Sequence, residues 1–391
     1  MERRRQQPWC FVRQLQPLVI CVVACSESGR PPSCPKAVPP CTAVCVSPGD
    51  RAPAVPSLVT SDGRIGIGGP YTVGDDQTQP VAQEARVGVL DTQGTWLLRP
   101  MAVYRDSLVE MKLAAGDGKI WALRNSGSSD GGLEIAYDVW TPGGLVVGAG
   151  RVPRDGAAMK LIQLTEVAAT PDGFIVAWGG YSPTSVGVTL LDGQMGLRKS
   201  TILAEKPAWA YGAVSGDQLL AVAWRDDTNY SGPVYIDLLN PDLSLHRRVK
   251  MPVSPVTTGV LMLWREGGFD VFWGKGIAGP IGYGRISADQ DELWTDDFHG
   301  DPSQRNEVYG LHRDLRGQTW LLLMRDSIGR KEDPQAVLGR LTFGTGTPNF
   351  EEVWVSDSDY FDARLAPLGD DVLVSAPKLG DVFLARIACG T

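Results

Sequence analysis

The feature that most constrains this chain is a pattern that returns about every 50 residues from Ser57 onward. An apolar run reaches a glycine-containing turn and a second apolar run follows. A polar loop leads to a third run, and another turn to a fourth. The first turns stand at Asp62-Gly63, Asp117-Gly118, Asp172-Gly173, Gly216-Asp217, Gly267-Gly268, Arg316-Gly317 and Gly369-Asp370. The runs behind them include Lys119 to Ala122, Phe174 to Trp178, Leu219 to Trp224, Phe269 to Trp273 and Thr319 to Met324. Later runs include Val87 to Leu90, Val186 to Leu191 and Val382 to Ile387. Short runs rich in β-branched and aromatic residues, bounded by Gly, Asp and Pro, read as strands. The chain has 46 Gly and 28 Pro in 391 residues, enough to supply so many turns. Leu161 to Ala168 is apolar enough for a helix, but Thr165, Val167 and the turn at Pro171 favour a strand.

Strands repeating with a period of about 40–50 residues indicate propeller blades. Each blade is a twisted sheet that cannot bury both faces alone, so blades stack around an axis. The expected fold is therefore all-β, a β-propeller of four-stranded blades. Seven units predict seven blades, and closure as six or eight stays open. The Trp residues on the second strands (Trp121, Trp178, Trp224, Trp273, Trp320) read as packing between blades rather than as a ligand platform. The last unit stops at Thr391 after its third strand. Thr42 to Val46 is the candidate for the missing fourth, a strand exchange that a Cys45–Cys389 bond would lock.

Two of the units resemble kelch repeats. The first carries Ile67-Gly68-Gly69, then Val89-Leu90-Asp91, then Trp96; the third carries Trp178-Gly179-Gly180 without the matching Trp. The Gly-His and Trp-Asp marks of the other common propeller repeat are absent.

The N-terminus reads as an address. Arg3, Arg4, Arg5 and Arg13 form a positive region, and Leu18 to Ala24 is an uncharged run too short to span a bilayer. It ends Val22-Val23-Ala24-Cys25, which resembles the lipobox of bacterial lipoproteins: an aliphatic residue, a small residue and the modified Cys. The resemblance implies cleavage before Cys25, a diacylglyceryl group on its thiol, and, with Ser26 following, sorting to the outer membrane or cell surface. Residues 25–56 are rich in Pro, Ser and Cys and read as an extended tether. The expected organisation is a signal peptide over 1–24, a tether over 25–56 and a propeller over 57–391. Cys34, Cys41, Cys45 and Cys389 suggest two disulfides in an exported chain, with three pairings open.

Composition then excludes several functions. Without residues 1–24, which carry four arginines and one acid, 33 basic residues face 44 acidic ones, a formal charge of −11. Such a domain repels phosphate backbones, so no nucleic-acid partner is expected. Three histidines leave little for metal or acid–base chemistry. His246, His299 and His312 lie in different repeats and read as surface-loop residues. There is no Gly-x-Ser-x-Gly and, in the body, no His-x-x-x-His or Cys-x-x-Cys. Gly66-Ile67-Gly68-Gly69-Pro70 lacks the following helix of a phosphate loop. No catalytic residue and no cofactor are expected. Acidic runs remain: Asp289, Asp291, Glu292, Asp296 and Asp297, and Asp357, Asp359 and Asp362. The second could offer three oxygens to Ca²⁺, but no Gly stands at the turn position, and a solvated acidic loop is the simpler reading. The expected function is a non-enzymatic cell-surface or periplasmic lipoprotein, anchored in the membrane by its lipid, that binds or scaffolds an envelope protein or a polysaccharide. The loops from Tyr71 to Glu84 and Asp326 to Gln335 would form its variable rim. The alternative is a carbohydrate-active enzyme, a glycoside hydrolase or lyase, with paired carboxylates on propeller loops.

Overall fold

At three of the turns between first and second strands an acidic residue and the glycine after it both take positive φ: 47° and 68° at Asp62-Gly63, 51° and 65° at Asp117-Gly118, 47° and 77° at Glu266-Gly267. This is the geometry of type I′ turns, whose twist matches that of paired strands. It folds one apolar run straight back on the next. The computed structural model describes residues 37–46 and 57–389, apart from 73–82, 94, 106–110, 128–132, 153–160, 183, 206–207, 227–231, 253–258, 276–278, 288–292, 328–333, 357–362 and 379–380. All described residues belong to one unit, Cys34–Thr391.

The hairpins assemble into seven four-stranded antiparallel blades. After β1 (Cys41–Val46), the first blade is β2 (Ser57–Ser61), β3 (Arg64–Thr72), β4 (Gln83–Leu90) and β5 (Trp96–Arg105). The second is β6 (Met111–Gly116), β7 (Lys119–Gly127), β8 (Leu133–Trp140) and β9 (Val146–Arg151). The third is β10 (Leu161–Thr170), β11 (Gly173–Ser182), β12 (Thr184–Asp192) and β13 (Leu197–Ala204). The fourth is β14 (Trp209–Ser215), β15 (Leu220–Arg225), β16 (Val234–Leu239) and β17 (Leu245–Lys250). The fifth is β18 (Gly259–Arg265), β19 (Gly268–Gly274), β20 (Ile281–Ser287) and β21 (Leu293–His299). The sixth is β22 (Gln304–Arg313), β23 (Thr319–Ser327), β24 (Gln335–Thr342) and β25 (Asn349–Val355). The seventh is β26 (Arg364–Leu368), β27 (Asp371–Lys378), β28 (Asp381–Cys389) and, from the other end of the chain, β1. A single parallel bridge, Leu133 to Leu161, also links the second and third blades. Each first strand touches the first strand of the next blade, and β26 touches β2, so the ring is closed. The fold is a seven-bladed β-propeller. Among the described residues there is no helix, and so none long and apolar enough to cross a membrane.

Strand exchange closes the ring as expected, but with a different bond. Cys41 lies opposite Cys389 in the register of β1 on β28, and these two form the disulfide. Cys45 lies four residues further along, opposite Ala385. Cys389 is the last residue of β28, so the partner has to come from the first residue of β1, not from near its end. Residues 41–46, read as tether, are thus a strand of the seventh blade.

Seven apolar clusters fill the interfaces between neighbouring blades. The second-strand tryptophans sit in them. Trp121 packs on Phe174 of the next blade, with ring centroids 5.5 Å apart. Trp224, Trp273 and Trp320 are 1%, 1% and 2% exposed. These large rings need flat ground, which third-strand glycines supply. A Cβ on Gly282 would fall 2.0 Å from the Trp273 ring, and one on Gly187 2.4 Å from Trp178. A second recurring device shapes the turns between third and fourth strands. Asp91 Oδ1 accepts the N–H groups of Gln93 and Thr95 at 2.9 and 2.8 Å, and Asp192 Oδ1 accepts those of Gln194 and Gly196 at 2.8 and 2.7 Å. A short acceptor side chain thereby satisfies turn amides that the ladder leaves unpaired.

Candidate functional site

A cleft of about 390 Å³ opens between the fifth and sixth blades. It lies where β21 hands over to β22 and where β23 ends and β24 begins, so the end of one blade and the start of the next contribute to one wall. Its framework is a turn. Gly300 takes φ +107°, and a Cβ there would meet the Asn306 side chain at 2.7 Å. Asp301 Oδ1 accepts the main-chain N–H and the hydroxyl of Ser303 at 2.8 and 2.7 Å. Asn306, 3% exposed, turns its amide nitrogen on three carbonyls: Gly279 at 3.0 Å, Asp301 at 3.2 Å and Gln304 at 3.3 Å. The Gly279 N–H donates to the Gln304 carbonyl at 2.9 Å. One buried amide thus ties a loop of the fifth blade, the inter-blade turn and the start of β22 together. The turn that forms the cleft wall is thereby held by a side chain buried within it.

The apolar floor is Leu323 and Val337, 2% and 1% exposed. Polar groups stand on it. Arg325 Nη1 donates to Glu352 Oε1 at 3.0 Å, and His299 Nε2 lies 3.6 Å from the same oxygen. The His299 ring beside it and the Arg325 guanidinium hold the Glu352 carboxyl below the usual carboxylate range, against the opposing effect of burial. His299 in turn packs on Phe350, centroids 4.3 Å apart, which fixes the imidazole from behind.

Other charged groups are built into the blades. Asp270, fully buried, accepts from Arg265 at 2.7 Å, Tyr283 at 2.8 Å and Arg285 at 3.0 Å. Burial, with Asp270 adding to it, pushes the Tyr283 hydroxyl well up. Asp237, also fully buried, takes a two-point contact from Arg248 at 2.7 and 2.8 Å. Such paired, satisfied charges are internal struts. Among the described residues no group of three or more His, Cys, Asp or Glu is placed to hold a metal ion.

The histidines are not surface-loop residues. His246 lies on β17, exposed; His299 ends β21 at the cleft; His312 lies on the innermost strand of the sixth blade. Burial lowers the pKa of His312 to about 4, Asp314 opposing. Cys25 and Cys34 lie outside the described residues, as do Asp289, Asp291, Glu292, Asp357, Asp359, Asp362 and most of the two rim loops; Asp296 and Asp297 lie on β21. Sequence reasoning missed Arg325, Glu352, Asn306 and Asp301. They come from three separate stretches, with Asp301 and Asn306 sharing the turn into β22. The one available signal is the switch from apolar to charged at the end of a strand, Met324-Arg325.

No family model matches the chain, and no curated protein matches it. Among solved structures, it is similar to a protein of unknown function from Dyadobacter fermentans, with a TM-score of 0.52, 13% identity and coverage of 90% of this chain and 100% of that one. A Trypanosoma rangeli sialidase follows at 0.47 and 10% identity over 82% of this chain and 59% of that one. An α-L-arabinofuranosidase from Lactobacillus brevis gives 0.41 and 11% identity over 78% and 94%. At these identities the likeness is one of fold.

Proposed function

We propose that the chain is an exported lipoprotein, anchored through Cys25, whose propeller is a non-catalytic recognition module for a polysaccharide or protein of the cell envelope. The lipobox-like Val22-Val23-Ala24-Cys25 and the proline-rich residues after it support the anchor and its spacer. We read the first blade, with its paired glycines, as kelch-like. The observation that carries the recognition reading is the state of the carboxylates in the cleft. Asp301 is spent on Ser303, and Glu352 is held ionised by His299 and Arg325. A glycosidase needs one carboxyl kept protonated to act as acid, with a second facing it across the scissile bond. The described carboxyl whose pKa burial raises is Asp138, which lies in the second blade, 3.1 Å from Arg124. A cleft of tied acids suits holding a ligand better than cutting one.

Two measurements test this. Mass spectrometry of the mature N-terminus should find Cys25 acylated; an unmodified Cys25, or cleavage elsewhere, removes the anchor. The mature protein applied to a panel of envelope polysaccharides should retain at least one and release no new reducing ends. Release of reducing ends would make the enzyme reading the right one.

A further inference from the structure

We infer that Arg364, on the innermost strand of the seventh blade, binds the carboxylate of an isolated acidic sugar residue in a two-point contact. The inference rests on the recognition reading above and adds to it a contact point and a ligand class.

The site begins on β22, where successive side chains point to opposite faces of the sheet. Asn306 and Val308 face the fifth blade: the first bonds the Gly279 carbonyl, and the second packs in the cluster of Phe272 and Ile281. Arg305, Glu307 and Tyr309 take the other side, and Tyr309 joins the cluster between the sixth and seventh blades. Arg305 donates to Glu307 Oε1 through Nη2 and, at 2.7 Å, through Nε, and the Tyr309 hydroxyl donates to Glu307 Oε2 at 2.9 Å. Both carboxylate oxygens are used, and the charge of Glu307 is met by Arg305. Arg364, the first residue of β26, places its guanidinium carbon 5.9 Å from the centre of the Tyr309 ring, within reach of a cation–π contact.

The charge of Arg364 is not met in this way. On the other first strands, Lys112 has Glu166 at 3.2 Å and Arg265 has Asp270 at 2.7 Å. Arg364 donates Nη1 to the Ala363 carbonyl at 3.1 Å and lies over Tyr309, and it pairs with no described carboxylate. It is half-buried, so water solvates it only in part. Its Nε and Nη2 hydrogens, which share one edge of the guanidinium, are unspent among the described residues. That edge takes a carboxylate twice elsewhere in this molecule. Arg248 holds Asp237 with Nε and Nη2 at 2.7 and 2.8 Å, and Arg265 holds Asp270 with the same two atoms at 2.7 and 3.2 Å. Arg364 presents the same fork with no internal acid in it, and a planar carboxylate from a ligand matches that fork.

Charge narrows the ligand. One unmatched positive charge suits a monoanion. A phosphate monoester, at about −1.5 to −2, would leave excess negative charge near Glu307. The chain as a whole carries −8, so a polymer of closely spaced acids is repelled at long range, whereas a single acid in a mostly neutral glycan is repelled far less.

The test is affinity electrophoresis of the mature protein in glycans with isolated uronates (4-O-methylglucuronoxylan, gum arabic), in their carboxyl-reduced forms and in polygalacturonate, with calorimetry of methyl glucuronide. The expected result is retention by an isolated-uronate glycan, lowered about tenfold or more in Arg364→Gln with the thermal midpoint unchanged. Carboxyl reduction of the glycan, which leaves the protein untouched, should lower retention as much; this second measurement stands whether or not the variant folds. Uronate-dependent retention that Arg364→Gln leaves unchanged overturns the site. Equal retention by the reduced forms, or by neutral glycans alone, overturns the ligand class and leaves the recognition reading standing elsewhere on the propeller. Stronger retention by polygalacturonate overturns the requirement for an isolated acid. Retention by no glycan overturns the proposal together with the polysaccharide half of the recognition reading, leaving a protein partner.

Discussion

His312 and Asp314 sit two residues apart in the sixth blade and do opposite things with buried polarity. His312 has its pKa lowered to about 4, from 6.5 in the unfolded chain, because burial disfavours the imidazolium. A depressed folded pKa gives stability that is whole above pH 6.5 and is lost as pH falls through that value toward 4. The full loss is roughly 3 kcal/mol. Glu352 and Asp242, whose carboxyl pKa values are lowered, lose theirs only at lower pH. Urea midpoints of the wild type should therefore fall between pH 7 and 5, and His312→Gln should flatten that limb. An unchanged slope in the variant would assign the dependence elsewhere. Asp314, in contrast, is buried and fully used. Its Oδ1 accepts the N–H groups of Arg316 and Gln318 at 3.0 and 2.9 Å, and its Oδ2 accepts Trp320 Nε1 at 2.9 Å. Asp314→Ala strands those donors and should cost about 2–4 kcal/mol in chemical denaturation. Asp314→Asn keeps the turn acceptor but turns an amide on the indole N–H, and should recover part of the loss.

At the scale of the strand, packing depends on what a third strand lacks. Gly282 faces Trp273 across the β19–β20 register, and the indole lies where a methyl group would stand. Gly282→Ala must displace a ring that is 1% exposed within the interface of the fourth and fifth blades. It should lower stability by about 1–3 kcal/mol. Gly344→Ala, with nothing within 4 Å of the added carbon, should change it by less than about 0.5 kcal/mol. Equal thermal midpoints for the two variants would contradict this account of the ring stacking. The same strands explain why the Trp residues read correctly from the sequence. A large aromatic on the second strand of five of the seven units, in a run that alternates poorly, belongs to a sheet buried on both faces.

The whole ring depends on its closure. β1 covers the edge of β28, and Cys41–Cys389 joins these first and last strands across 348 residues. Cys389→Ser should lower stability by about 2–5 kcal/mol. Removing residues up to Val46 should do more, because it bares the backbone of β28 as a free edge. Light scattering of the truncated protein should detect association, whereas Cys389→Ser should remain monodisperse below its midpoint. A truncated protein as soluble and stable as the full chain would mean that β1 is dispensable.

The sequence by itself determined the architecture. Turn spacing and apolar runs are local properties that each repeat states again, and five of the seven second strands add a tryptophan, so a propeller of seven units was legible from the sequence, with closure as seven blades rather than six or eight left to the structure. The exchanged strand was legible too, because a unit short of one strand must borrow it. What only the tertiary structure decided is everything that depends on register or on stretches far apart. Cys41 rather than Cys45 meets Cys389 because the pairing of β1 on β28 sets that partner, and a slip of a few residues in register leaves no trace in composition. His312 is half-buried because it falls on the first, innermost strand of its blade, a placement its own sequence context does not carry. The cleft is the clearest case. His299, Asn306, Arg325 and Glu352 come from the end of one blade and three strands of the next, and they meet because the ring brings those ends side by side. Periodicity fixes what repeats, whereas a binding site is made where the repeats differ.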